Sequence, residues 1–280
     1  MFRHILAPLS PSMDTELAQR IGAALAHGAE TPTVSVAPLE PFPPASGAEP
    51  PVAGVERVGG TGTERQIDLI IVTPKRRELC EIEWYPHTAS WELLRLRTPI
   101  LFWPPDVIGA TLLSGRRPVI VVALDGHKHS EQAIPFGCAL AEAFGGEVLL
   151  ARVVPPSFGE RQLRKASPAV RRQRLEQVHE VWLYLQMVRD TTAKQTSATV
   201  TTKILLGEPG TALVQLAQRR NVGALVMTTH SRAHDGHFFA GAVATQALRQ
   251  SPAPTLLIPL GAETEPGAHT YLEPAIPVTP

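Results

Sequence analysis

Cysteine is nearly absent: Cys80 and Cys138 are the only two in 280 residues. Two thiols so far apart give neither a metal-ligand spacing nor a disulfide framework. Charge of one sign is also missing. Lys+Arg and Asp+Glu both number 26 and the net charge is zero, so the chain lacks the basic excess of a general nucleic-acid binder. No apolar run is long enough to span a bilayer, and the opening MFRHILAPLS has too short an apolar stretch for a secretory signal. The expectation is a cytoplasmic protein with no membrane and no nucleic-acid partner. A G-x-S-x-G elbow is lacking, as is a Walker lysine loop, and nothing pairs a nucleophile with a base. No enzyme, no catalytic residue and no metal site is expected. Glycine is scarce in one informative place. The stretch LVMTTHSRAHDGHFFAGAVATQAL, Leu225 to Leu248, reads as strand, loop and helix, where many α/β proteins hold a phosphate, yet it contains only Gly236 and Gly241.

What is present begins with a 44% hydrophobic composition, enough for a proper core, and 27 prolines. Many prolines fall between Ala37 and Gly54 or in the tail after Leu260, and both segments read as linker. The chain also repeats itself. Adding 115 to a first-half number aligns Leu9 with Leu124, Ser10 with Asp125, Gly22 with Gly137 and Leu25 with Leu140. Later segments align at an offset of 155, IDLIIVTPKRR with VGALVMTTHSR and TPILFW with APTLLI. The second half therefore carries extra material in its middle. Self-similarity at this scale implies duplication.

In the second half, strands are expected in PVIVVAL, EVLLARVV, VTTKILLG, VGALVMT and APTLLIPL. Helices are expected from Ser130 to Phe144, with Pro135 kinking its start, after the Ser167-Pro168 cap signal, in EPGTALVQLAQRR and in GAVATQALRQ. Strands alternating with helices imply an α/β fold, a parallel sheet covered on both faces. Ligands in such sheets sit beyond the carboxyl ends of the strands. That places LDGHKHS and MTTHSR at the expected site.

The segments VALDGHKHSEQA, LLARVV, LLGEPGTALVQLAQ, ALVMTTHSR and GAVATQALRQSPAPTLLIP together resemble the universal stress protein family in its tandem form. The resemblance implies two tandem open parallel-sheet domains of Rossmann-like type, related by a pseudo-two-fold. Residues 1–115 would form a degenerate domain with a Pro-rich insert at about 37–60, residues 116–262 a more typical one, and 263–280 a flexible tail. Some members bind ATP through a loop G-x2-G-x9-G-[ST], with an aspartate and a valine holding the adenosine. Carried over, the aspartate falls on Asp125 and the valine on Val153. The loop glycines fall on Thr228, Ser231 and Gly241, and the terminal hydroxyl on Ala242, followed by Val243. Glycine lets the backbone take φ > 0 and approach a phosphate closely. A β-branched Thr228 on the family path would be strained, or the loop reshaped. Thr229, His230 and Ser231 offer replacement donors and Arg232 a charge. In the first half Ser10 replaces the aspartate, Pro74 removes a backbone N–H, and Pro86 stands opposite Gly241, so no such site is expected there.

Plainer readings stand beside these. Asp125 could form a turn with Gly126 or cap the following helix. Val153 could be core. His127, His129, His230, His234 and His237 match no zinc spacing and read as solvated. The run Arg161, Arg164, Lys165, Arg171, Arg172 and Arg174 reads as a solvated face. The apolar last strands of each half, TPILFW and PAPTLLIPL, would lie at sheet edges that invite pairing, within one chain or between two. The resemblance thus implies a regulatory stress-response module with at most a weakened site for ATP or another adenine nucleotide. The alternatives are slow ATP hydrolysis and a purely structural interaction module.

Overall fold

The computed structural model describes residues 4–8, 14–25, 33–37, 55–56, 65–66, 69–73, 98–104, 111–114, 116–155, 167–229, 232–234, 237–239 and 241–259. The first half contributes β1 (His4–Pro8), α1 (Thr15–Leu25), β2 (Thr33–Ala37), a two-residue ladder of β3 (Val55–Glu56) with β4 (Arg65–Gln66), then β5 (Leu69–Val72) and β6 (Ile100–Phe102). The second half runs β7 (Val119–Leu124), α2 (Lys128–Glu131), α3 (Ile134–Ala143), β8 (Glu147–Val154), α4 (Pro168–Thr192), β9 (Thr199–Leu206), α5 (Pro209–Ala217) and β10 (Val222–Thr229). It ends with β11 (Arg232–His234), β12 (His237–Phe239), α6 (Ala242–Gln250) and β13 (Thr255–Pro259).

Nine strands form one sheet in the order β2-β1-β5-β6-β13-β10-β7-β8-β9. Every neighbouring pair is parallel except β6 and β13, which run antiparallel with Phe102 opposite Thr255, Leu101 opposite Leu256 and Ile100 opposite Leu257. In the middle of the second half, between β8 and α5, lie α4 and β9.

Buried β-branched residues on both faces explain why the central strands read as continuous apolar runs rather than alternating ones. Ile120, Val122, Val148, Leu150, Ala224, Val226 and Leu256 point to one face, where α1, α3 and α4 bring Ile21, Leu140, Val181 and Leu185. Val119, Val121, Ala151, Leu225, Met227 and Leu257 point to the other, covered by Leu213 and Leu216 of α5 and Ala244 and Ala247 of α6. Gly137 in α3 lets that helix lie close on β7, because a Cβ there would come within 2.3 Å of Val122 Cγ2.

Local signals set several boundaries. Ser167 Oγ accepts from Val170 N at 3.4 Å, and Pro168 opens α4. Pro135 does more than kink a helix. α2 stops at Glu131 and α3 starts anew at Ile134, with the proline in its first turn where its missing N–H costs nothing. Glu208 caps α5 by accepting from Gly210 N at 3.1 Å and Thr211 N at 2.7 Å. Arg174 is not simply solvated: it donates to Pro155 O at 2.7 Å and Val154 O at 3.2 Å, tying α4 to the carboxyl end of β8. Arg161, Arg164 and Lys165 of the basic run, residues 38–54 of the Pro-rich insert, Pro74, Pro86 and the tail lie outside the described residues, while β3 falls within the segment expected to be linker.

Candidate functional site

A cavity of about 490 Å³ opens at the carboxyl ends of β7, β8 and β10. That volume lies inside the roughly 300–1,000 Å³ range of small-molecule sites. Its wall includes Asp125 after β7, Arg152 and Val153 near the end of β8, Thr228 at the end of β10, and Gly241, Ala242 and Val243 at the start of α6. Four separate stretches of chain thus converge on one space.

Asp125 occupies a tight turn. Its Oδ1 accepts from His127 N at 2.8 Å, and Ser130 Oγ lies 3.2 Å from Asp125 N and donates to His127 O at 2.8 Å. The turn reading of Asp125 and its place in the cavity wall therefore hold together. Partial burial pushes the Asp125 carboxyl up, but the His127 N–H, the Ser130 hydroxyl and the His127 charge together hold it below its ordinary value. His127 Nδ1 lies 3.3 Å from Oδ1. Gly126 supplies the turn with φ +90.

Arg152 is a further residue of the cavity wall. Its guanidinium packs on Gly126, where a Cβ would meet it at 2.4 Å, and lies 5.0 Å from the centre of the Tyr184 ring. Tyr184 in turn donates its hydroxyl to Glu131 Oε1 at 2.8 Å. Burial, then the Glu131 carboxylate, raise the Tyr184 hydroxyl well above its usual range, so it stays a donor. A charge inside the apolar run LLARVV was the available signal, since such residues are seldom inside without a reason. Arg152 and Asp125 bring opposite charges to one cavity wall, one suited to an anion and the other to hydroxyl or amine donors.

The loop after β10 is reshaped. β10 continues through Thr228 and Thr229, paired in parallel register with Ile258 and Pro259 of β13. Thr228 is therefore extended rather than left-handed, which avoids the strain that a β-branched residue would suffer. The pairing occupies the β13 side of this backbone, while the ladder with β7 ends at Val226. Beyond it the chain forms a hairpin of β11 and β12 where a plain loop was expected. Asp235-Gly236 between them is a pair that two-residue hairpin turns favour. Thr229 is fully buried, stands apart from the cavity wall, and its Oγ1 has no hydrogen-bond partner among the described residues. His230 and Ser231 lie outside the described residues, as do the side chains of Arg232 and Phe238.

Gly241 precedes α6 with φ 78 and ψ 153, a conformation glycine takes freely. Among the described residues, no side chain caps this helix. The first-turn amides have no intrahelical acceptor, and their positive end lies at the cavity. Among the described residues, no group of three or more His, Cys, Asp and Glu side chains could hold a metal ion. None of their helices is long and apolar enough to cross a membrane.

A sequence profile of the universal stress protein family matches residues 117–259. No curated protein matches the chain. Among solved structures, a protein of unknown function from Pseudomonas aeruginosa PAO1 is 15% identical, with a TM-score of 0.56, covering 92% of this chain and 93% of its own. A universal stress protein from Archaeoglobus fulgidus is 20% identical with a TM-score of 0.41, covering 51% of this chain and 98% of its own. A structure of the universal stress protein from Archaeoglobus fulgidus in complex with dAMP is 18% identical with a TM-score of 0.39, covering 51% and 98%.

Proposed function

Because the chain belongs to the universal stress protein family, we propose that it is a non-enzymatic regulatory module whose second half binds an adenine nucleotide weakly. The observation that carries this reading is convergence. Asp125, Val153, Thr228, Gly241, Ala242 and Val243, assigned one by one along the sequence, line a single cavity. The weakness follows from the phosphate end. Thr228 and Thr229 are tied into the ladder with β13, and Ala242 offers no hydroxyl. What remains for a phosphate is the amino end of α6 and the Arg152 guanidinium.

We further infer that the two halves are tandem copies related by a pseudo-two-fold at the junction of β6 and β13. The support is the strand order, β2-β1-β5-β6 on one side and β13-β10-β7-β8 on the other, which reads as a mirrored series. The register supports it more sharply. Leu101 faces Leu256, its own equivalent at the 155-residue offset of the repeat. An axis relating two copies would pass through such a self-matched pair.

The test is calorimetric titration of the full chain with AMP and ATP, with and without Mg²⁺. Dissociation constants of about 0.1–1 mM, lost in Asp125→Ala, are expected. Micromolar binding would overturn the weakness. Absence of binding at several millimolar would overturn the site.

A further inference from the structure

We propose that Tyr184 of α4 is a positioning residue for the cavity, its ring seating the Arg152 guanidinium and its hydroxyl holding the Asp125 turn through Glu131. The consequence for binding rests on the nucleotide reading above, whereas the positioning itself requires no ligand. Among the described residues that line the cavity, the charged ones are Asp125 and Arg152. Tyr184 and Glu131 are not part of that wall. One residue outside the site thus bears on both charges inside it.

The hydroxyl matters because the turn is local. The bonds that shape it, from His127 N to Asp125 Oδ1 at 2.8 Å and from Ser130 Oγ to His127 O at 2.8 Å, all lie between Asp125 and Ser130. They fix its form but not its seat. The helix that follows, α2, has four residues and no side-chain cap, far too few to hold itself. Ser130, whose hydroxyl closes the turn, is followed directly by Glu131, and Glu131 Oε1 accepts from the Tyr184 hydroxyl at 2.8 Å across 53 residues of chain. Tyr184 packs against the core that holds its neighbours Val181 and Leu185, so it is anchored with α4. The ring acts on the second charge. Arg152 Cζ lies 5.0 Å from its centre, inside the roughly 6 Å of a cation–π contact. Gly126, with φ +90, leaves the other side open, since a Cβ there would overlap the guanidinium. A planar fork held by its face keeps its N–H edge for an acceptor.

Calorimetric titration of the full chain with adenosine and with AMP, beside carbon-detected titration of the Asp125 carboxyl without ligand, tests this. Tyr184→Phe keeps the ring and removes the hydroxyl. It should weaken adenosine and AMP alike by about three- to tenfold, the range for one lost hydrogen bond. Glu131→Ala should do the same and add little in the Tyr184→Phe background, because both remove one bond. Glu131→Gln, which can still accept from the hydroxyl, should lose less. Tyr184→Leu removes the ring as well and should weaken AMP about threefold or more beyond its effect on adenosine. Partial burial pushes the Asp125 carboxyl up and the bonds from His127 and Ser130 hold it down, so loosening the turn in Tyr184→Phe should raise its midpoint toward the ordinary value. Affinities and midpoint both unchanged in Tyr184→Phe overturn the proposal and leave the nucleotide reading standing. A weakened affinity with an unmoved midpoint also overturns it, as a general loss of stability would give. If the parent chain binds neither probe at several millimolar, the nucleotide reading fails, and the Asp125 midpoint alone decides: raised, it upholds the positioning; unmoved, it overturns it. Thermal melting shows that each variant is folded at the assay temperature.

Discussion

Replacing Gly137 by alanine sets two effects of known size against each other. Alanine is the better helix residue by about 1 kcal/mol. At this site, however, the new Cβ would lie 2.3 Å from Val122 Cγ2 and 3.9 Å from Ile120 Cγ2. Two carbons in contact need about 3.5–4.0 Å. More than an ångström must therefore be found between α3 and β7. Val122 cannot supply it, being fully buried and, as a β-branched residue, confined to few rotamers. Overpacking of this kind costs about 1–3 kcal/mol, occasionally more. With more than an ångström to find, the cost falls at the upper end of that range, and Gly137→Ala should destabilise the protein by about 2 kcal/mol after the propensity gain is deducted. Urea denaturation followed by circular dichroism should show a lower midpoint at unchanged slope. Adding Val122→Ala should cost less in the Gly137→Ala background than in the parent chain, because the two side chains compete for one space. A neutral or stabilising Gly137→Ala would show that α3 does not lie against β7 as described.

Other predictions follow from the same structure. Glu208→Ala removes the cap of α5 and should cost about 0.5–2 kcal/mol in denaturant unfolding. Hydrogen bonds from Thr211 and Gly210 lower the Glu208 carboxyl, and Asp125 and Glu142 are lowered too despite the upward push of burial. Their stabilisation is complete above the ordinary carboxylate pKa and is lost as pH falls through the lower folded values, so the melting temperature should drop on acidification and drop less steeply in a Glu142→Gln, Glu208→Gln double variant. Burial pushes the Cys138 thiol up to about 11. In a Cys80→Ser background it should therefore react with Ellman's reagent at pH 8 more slowly than in the urea-unfolded chain, and equal rates would contradict its partial burial. Arg152→Ala should weaken ATP and AMP binding about tenfold while sparing adenosine, the expected size for a charge-assisted contact. Equal loss for all three would place Arg152 in the wall but away from the phosphates.

Much of the second half was readable in advance because its signals are local. EVLLARVV is a strand from end to end as β8, since its β-branched and aliphatic residues, interrupted only by Arg152, lie between a Gly-Gly turn and a proline. Ser167-Pro168 opened α4 where a cap and a first-turn proline would place it. The less legible features depend on what lies across space. The extension of β10 through Thr229 is set by its partner β13, which no window of sequence contains. The hairpin after it carried its Asp-Gly pair in plain view, but the expectation of a phosphate loop hid it. Arg152 stayed unread because its meaning comes from Gly126, Tyr184 and Glu131, drawn from three different elements. Arg174 looked like one more surface charge until the end of β8 supplied its acceptors. For the candidate site, the sequence pointed to residue types one at a time, whereas their shared cavity is a property of the sheet edge.

The most direct test of the nucleotide reading is to locate the bound molecule. Amide resonances of the isotopically labelled full chain, followed during titration with AMP, report where contact occurs. The account predicts saturable shifts at Asp125, Gly126, Val153 and the Gly241–Ala244 stretch, with little change along β2 and β1. Shifts confined to other surfaces, or none at several millimolar AMP, would contradict it.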